Sequence, residues 1–568
     1  MTVGLVAAAA LLFAASAFAL GELTQKPGEA GCISETGADG CAKGQGLGEA
    51  IEAAISPDGR NLYVAARDSN ALAVFGRDPA AVLRELGCFS QPVVDGCIEA
   101  RALKGARSVA VSPDGRTVYV ASRVSNAVAV FERDPALGTL VQKGGEDGCV
   151  AEKGAEGCRN ARAMTDVTRL AVSPDGGNVY VLGLGGQIAV LDRAADGALT
   201  QKGGKVGCIS STGGDGSGGE CEPMRLPFAS NLVFSDDAAT AYLSGSSSNM
   251  LGIFDRDGAG NLSQRPGAAG CVSLTGTDGA GGECGTARAF GAPQAMTVSP
   301  DGESLYVSAF NSEALVVFDL DPAGQPTQVE GAAGCISVDG TDGAGGPCQP
   351  GRGLRGPQAL AVSPDGQSLY LPSFNSDSLA SFDRATDGSL TQKAGEAGCL
   401  SIPGDPGVCG DGVGLDGAAQ AIVSPDGRNV YAISLEPGAI TAFDRALPPS
   451  GEGGSAPEVT GFRFTPRRFA PKPAGKGARV RFELSKPASV RIALERLRPR
   501  AHGRPRFARA GALQRLNRPA GLNTLAFSGR IGGRALRPGR YRATLVATDA
   551  QGRRSAPRRA SFTVLRKR

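Results

Sequence analysis

The sequence predicts an all-β protein: a closed ring of seven four-stranded sheets, a seven-bladed β-propeller, followed by a smaller β-sandwich. Three observations lead there. The phrase Ser-Pro-Asp-Gly recurs from Ser56, Ser112, Ser173, Ser299, Ser363 and Ser424, with a degenerate copy at Ser235, so that successive starts lie 56 to 64 residues apart. The 14 cysteines fall into seven couples, one per repeat. Beyond Pro457 the pattern changes to apolar–polar alternation, with 29 Lys and Arg against four acidic residues.

Residues 1–19 read as a secretory signal. Val3 to Leu20 is apolar and small, and Ala17-Phe18-Ala19 fits the small-x-small cleavage rule. The n-region has no Lys or Arg, so an uncleaved anchor and a mis-assigned start remain alternatives. No later apolar run is long enough to span a bilayer. Paired cysteines after a signal place the chain outside the cytoplasm, secreted or in the cell envelope.

Residues 20–446 form the repeat array. In its sixth copy, Ala359 to Ser363 is an apolar run suited to an inner strand. Pro364-Asp365-Gly366 makes a turn in which Pro presets φ, Asp caps locally and Gly accepts the awkward dihedral. Ser368–Leu371, Leu379–Asp383 and Leu390–Lys393 supply strands two, three and four, completing one blade. The second-strand tyrosine recurs as Tyr63, Tyr119, Tyr180, Tyr242, Tyr306, Tyr370 and Tyr431, and is read as core between blades. The last copy stops after its third strand. A spare strand, Leu23–Lys26, precedes the first copy and is expected to complete the seventh blade, removing an exposed edge.

Val111 to Val120 and Ser125 to Phe131 resemble the YVTN-type repeat of the seven-bladed lactonase family, which includes 6-phosphogluconolactonase-like and carboxymuconate-cyclase-like proteins. The resemblance runs over roughly residues 20–447 and rests on turn and core residues, so it implies the fold strongly and the chemistry weakly. The histidine-dependent mechanism it implies for the cyclase branch has no counterpart here, because the only histidine, His502, lies in the basic tail. There is no Gly-x-Ser-x-Gly elbow, and no catalytic residue stands out. A carboxylate–arginine mechanism remains open.

The cysteine couples are Cys32 and Cys41, Cys88 and Cys97, Cys149 and Cys158, Cys208 and Cys221, Cys271 and Cys284, Cys335 and Cys348, and Cys399 and Cys409. The simplest reading is seven local disulfides stapling the loops between blades; pairing across blades is the alternative. Zinc is disfavoured, since neither nearby histidine nor CxxC spacing occurs. Asp215, Asp278 and Asp342 offer the longer loops to Ca²⁺, but one carboxylate per loop is a thin ligand set, so no metal or cofactor is expected. Eleven residues before the repeat serine, four copies carry Arg101, Arg162, Arg288 and Arg352; the fourth copy has Met224 followed by Arg225. These five arginines are expected to ring one channel mouth and grip an anionic small molecule, unless each pairs with a loop acid.

Residues 447–457 read as a flexible linker and 458–568 as a basic β-sandwich resembling the Ig-like modules of secreted bacterial proteins. The repeat half is correspondingly acidic, with 30 basic against 52 acidic residues. The resulting expectation is an exported, monomeric binding or scaffold protein whose tail attaches to an envelope polyanion rather than to specific nucleic acid. The alternative is a lactonase-like hydrolase acting on a small anionic lactone at the channel mouth.

Overall fold

The computed structural model describes residues 20–568, except 95, 217, 404–408, 448–455, 472–476, 499–505, 519, 532–533, 550–552 and 567–568. The signal segment 1–19, most of the linker and His502 lie outside the described residues.

Each Ser-Pro-Asp-Gly turn is held by its own side chains. In the second blade Ser112 Oγ donates to Asp114 Oδ1 (2.6 Å), and the amide of Thr117 donates to Ser112 Oγ (3.0 Å). Gly115 takes φ = +70° between them, which a side chain would resist. The turn joins Ala106–Val111 to Thr117–Ser122, and Ala127–Arg133 follows antiparallel. The middle strand is buried at every residue, so its alternation vanishes as expected for a strand covered on both faces.

The outer strand is not the single fourth strand that the sequence suggested. In six blades it is broken by a 3-10 turn into two segments, such as Leu140–Gln142 and Cys149–Glu152, which pair with successive halves of the third strand. A further short strand, Arg159–Ala161, then runs parallel to the second segment.

The disulfides tie the outer strand to this parallel edge partner. All seven couples close locally, and no bond crosses between blades. Cys32 joins Cys41, Cys88 joins Cys97, and Cys149 joins Cys158, each nine residues apart. Cys208 joins Cys221, Cys271 joins Cys284, and Cys335 joins Cys348, each thirteen apart. Cys399 joins Cys409 across ten residues. The first cysteine of each couple is buried against the third strand. The second opens or precedes the short parallel strand, as Cys158 precedes Arg159. Parallel pairing within so short a loop needs the chain to double back, and the bond holds it there.

The sheets form a closed ring. Apolar clusters alternate with sheets, each shared by two neighbours, and one joins the seventh blade (Tyr431, Ile433, Ile440) to the first (Leu62, Val64, Phe75). Leu23–Gln25 pairs with Ala439–Arg445, and Cys32–Ser34 extends the same edge.

A buried polar clasp crosses six of the seven boundaries, and the sequence reading missed it. Arg133, ending the third strand of blade two, reaches back to blade one. It donates to Tyr63 Oη (2.7 Å), Asp58 (2.8 and 3.0 Å) and Asn61 Oδ1 (2.7 Å). Arg193, Arg256, Arg384, Arg445 and Arg77 repeat the pattern, the last meeting Tyr431 and Asp426 across the ring's closure. The tyrosine hydroxyl in turn donates onward, as from Tyr63 to Gly138 O (3.1 Å). Burial pushes the Tyr63 hydroxyl up to about 12. At the boundary of blades four and five Leu320 stands where the arginine would be, and Arg265 reaches Thr240 Oγ1 (3.1 Å) instead.

The clasp has a pH signature. Burial raises the carboxyl pKa of Asp58, Asp114, Asp175, Asp301 and Asp426, but the hydrogen bonds from serine and the arginine charge outweigh it, so all five fall below the ordinary value. The unfolded chain then binds more protons than the fold. The stabilisation is full above the unfolded Asp value and drains away as pH falls through the depressed ones. Unfolding free energy measured by denaturant from pH 5 to pH 2 should therefore decline steeply below about pH 4, less so in Asp301→Asn. Equal slopes would show that the clasp does not sense acid.

The tail builds two sheets around one apolar core. One sheet contains Val459–Thr465, Ala478–Leu484 and Gly521–Phe527; the other is centred on Ala488–Arg498, Gly539–Thr548 and Arg558–Val564. Phe464, Phe469, Phe527, Phe562 and Tyr541 stack between them. A hydrogen bond from Arg518 Nη1 to Pro300 O (2.9 Å) links the tail to the ring.

Candidate functional site

The five arginines expected at the channel mouth lie elsewhere. Each follows the short parallel strand at the outer margin of its sheet, as Arg352 follows Gln349–Pro350. Each guanidinium crosses to the next blade's cysteine loop. Arg101 donates to Gly145 O (2.6 Å), Arg225 to Gly267 O (2.6 Å) and Arg352 to Gly395 O (2.8 Å). Arg288 donates to Gly331 O (2.7 Å) and Arg162 to Gly204 O. Gly270 leaves room for this peg, since a Cβ there would lie 2.6 Å from Arg225 Nη2. Glutamine from the first segment of the outer strand, here Pro326–Gln328, brackets the same spot: Arg288 N donates to Gln328 Oε1 (2.7 Å), and Gln328 Nε2 donates to Arg288 O (3.1 Å). The mouth assignment failed because proximity in sequence to the inner strand was taken for proximity in space. The chain still has to cross the sheet face before it turns inward.

Asp215, Asp278 and Asp342, the carboxylates considered for Ca²⁺, pair with Arg162 (3.1 Å), Arg225 (3.6 Å) and Arg288 (3.4 Å). They also accept loop amides, such as Gly282 N to Asp278 (2.7 Å). Among the described residues no group of three or more His, Cys, Asp or Glu is arranged to hold a metal ion.

The inner strands hold a different cluster. Four residues before the repeat serine the copies read Glu52, Ser108, Arg169, Asn231, Ala295, Ala359 and Gln420. Five before, the second copy has Arg107. The charged members all come from blades one to three. Arg169 Nη1 meets Glu52 Oε2 at 2.9 Å, and Ser108 Oγ donates to Glu52 Oε1 at 2.9 Å. Arg67 and Arg123 follow the second strands at the same end, the end away from the Ser-Pro-Asp-Gly turns. Glu49 holds Arg67, and Asp166 holds Arg123 at 3.1 Å.

Three carboxylates thus take three arginines, and Arg107 is left over. Among the described residues no acceptor bonds its guanidinium. Burial, with Arg169, Arg67 and Arg123 beside it, pulls its pKa down to about 10, so the cation is held at a cost. Burial likewise raises the Glu52 carboxyl, and Arg169, Ser108, the Val109 amide and Arg107 only partly offset it. A desolvated carboxylate beside an uncompensated guanidinium can accept a proton and stabilise an anion. Aligning the repeats at the inner strand, and asking where charge interrupts neutral copies, would have found these residues. On the far arc, burial and the neighbouring Asp377 raise the Asp416 carboxyl.

Comparison with known proteins bears on this arc. Residues 33–153 match the family model described as Lactonase, 7-bladed beta-propeller. The matched segment includes Glu52, Arg107 and Ser108, and stops before Arg169. Together with the seven-sheet ring it supports a lactonase-type propeller. Similar solved structures include the periplasmic gluconolactonase PpgL of Pseudomonas aeruginosa, 22% identical, covering 65% of this chain and 93% of that one at a TM-score of 0.42. Hydrazine synthase of Kuenenia stuttgartiensis is 13% identical, covering 71% and 97% at 0.42. The Swd1 propeller domain of Myceliophteria thermophila is 13% identical, covering 70% and 97% at 0.42. Comparison with curated proteins found no match.

Proposed function

We propose that the propeller is a lactonase-like hydrolase acting on a small anionic lactone at the inner-strand cluster of blades one to three. The observation that carries this reading is Arg107, a half-buried guanidinium without a counter-ion beside the desolvated Glu52. The binding-or-scaffold reading rested on the absence of histidine. The lactonase match and the carboxylate–arginine pair favour hydrolysis instead.

Glu52 accepts from Ser108, Arg169 and the Val109 amide, and a carboxylate has about four lone-pair sites, so one is left for a water molecule. As general base it takes a proton while that water attacks the lactone carbonyl. Arg107 offsets the charge that develops on the carbonyl oxygen. The ring C–O bond then breaks, and the proton on Glu52 passes to the leaving alkoxide, so lactone and water give one hydroxy acid. Arg169 keeps Glu52 oriented. Its pairing also opposes the burial that raises the carboxyl, which favours the ionised form of the base.

Seven disulfides and the absence, among the described residues, of a helix long and apolar enough to cross a membrane fit an extracytoplasmic site of action. We read the tail as Ig-like because its two sheets share one core and Tyr541 Oη donates to Arg537 O (2.7 Å), the corner contact of that fold.

A panel of sugar-acid lactones followed by pH-stat tests the hydrolase. Glu52→Gln should lower kcat about 10²- to 10⁴-fold. The base must be ionised, so the wild-type rate should rise with pH through a midpoint above the ordinary Glu value of about 4.3. No turnover of any anionic lactone, or full activity in Glu52→Gln, would defeat the assignment.

A further inference from the structure

Both sheets of the tail carry arginine, and the three-stranded one sets arginine against arginine. On the three-stranded sheet Arg463 stands directly opposite Arg481, and Arg479 opposite Thr465, in antiparallel register. Thr524 and Ala526 flank them on the third strand. Like charges opposed across a ladder repel one another. None of the three arginines forms an ion pair among the described residues. The nearest acid on that face, Glu483, accepts from Thr460 Oγ1 at 3.4 Å instead. The Nε of Arg481 is buried and has no acceptor. A buried donor without a partner is costly, and a forked guanidinium satisfies it best with a carboxylate or phosphate. On the opposite sheet Arg542 is paired with Glu495 at 2.6 Å, while the buried Nε of Arg496 also has no acceptor.

We infer that the Arg463–Arg479–Arg481 face is a binding site for a linear acidic polysaccharide. Adjacent strands lie about 4.8 Å apart, so the two opposed arginines meet charges on neighbouring residues of an extended polymer. The face has no exposed aromatic side chain on which a base could stack, since Phe462 is half-buried and Phe464 and Phe482 are inside the core. Threonine and alanine stand beside the arginines, and Leu522, the large exposed apolar side chain of this sheet among the described residues, lies at its end opposite Glu483, a single residue where a bilayer-inserting face needs several. The disulfides place the tail where envelope glycans are the abundant polyanions. This inference stands apart from the hydrolase reading and does not need it.

The test uses the full chain, polygalacturonate as probe, and two triple variants that remove equal charge. Arg463→Gln/Arg479→Gln/Arg481→Gln should weaken binding at least ten-fold and reduce the dependence of log K on log salt by two to three, roughly one per lost contact. Arg491→Gln/Arg540→Gln/Arg559→Gln, on the other sheet, should change affinity less than about two-fold. The first triple relieves repulsion, so it should melt no lower than wild type. If it does melt lower, the exposed single change Arg463→Gln must still weaken binding. Equal loss in both triples would reduce the effect to net charge and overturn the site. So would tighter binding to duplex DNA or to phosphatidylglycerol vesicles, or no binding to polygalacturonate at low salt.

Discussion

A chain lacking residues 20–26 should melt far below the intact protein, with the loss centred on the seventh blade. Leu23 is buried, and returning it to water forfeits about 1.5–3 kcal/mol. Gly21 N donates to Ala446 O (2.7 Å), Ala446 N to Glu22 O (2.8 Å) and Lys26 N to Ala442 O (3.0 Å), so the edge of Ala439–Arg445 is left unpaired. Tyr370 Oη loses its acceptor, Gly21 O at 2.7 Å, and the clasp from Arg445 loses its support. Gln25 no longer brackets Val413, whose amide donates to it at 2.8 Å. Each buried group stranded in this way costs about 1–3 kcal/mol. The sum approaches the whole stability of an ordinary domain, about 5–15 kcal/mol. Differential scanning calorimetry of the two chains decides the matter; coincident transitions would mean that the ring does not depend on its amino-terminal strand.

Arg133→Ala should be among the most damaging single substitutions at a blade boundary. Its side chain is 1% exposed and its four acceptors are Tyr63, Asp58, Asn61 and Gly115 O. Alanine leaves those acceptors facing a cavity. Opening a buried ion pair costs about 3–5 kcal/mol, and the lower end applies because Asp58 keeps 32% of its side chain in water. Asp237→Asn supplies the contrast. Asp237 is the turn acid at the one boundary without an arginine clasp, and its exchange should stay within about 0.5 kcal/mol. Chemical denaturation of both variants measures the difference. Similar values would show that the clasp is no more than a surface ion pair.

Much of the ring was legible because its rules are local. Ser112, Asp114 and Gly115 complete their turn within six residues. Each cysteine couple, from Cys32 and Cys41 to Cys399 and Cys409, spans nine to thirteen residues, so spacing alone pointed to the right pairs. The tyrosines were correctly read as core, but their hydroxyls were overlooked, because their partners lie far along the chain. Arg133 and Asp58 are 75 residues apart, and Arg77 and Asp426 are 349 apart. The outer arginines were misplaced for the same reason. A recurring arginine signals a recurring partner, and here that partner is the next blade's loop carbonyl.

By itself the sequence determined the number of blades and the order of their three inner strands, and it pointed to the local cysteine pairs and to the strand that closes the ring. These follow from periodicity, turn chemistry and chain connectivity, which act over a few residues or over one repeat. The tertiary structure alone decided which charges are spent and which are left over. Arg288 and Arg107 are the same residue type in neighbouring stretches of similar repeats. One meets two loop carbonyls and the Asp342 carboxylate across a blade boundary, and the other stands among arginines at the inner strands. Whether a buried cation is neutralised depends on what the fold places opposite it, and no pattern within one repeat contains that information.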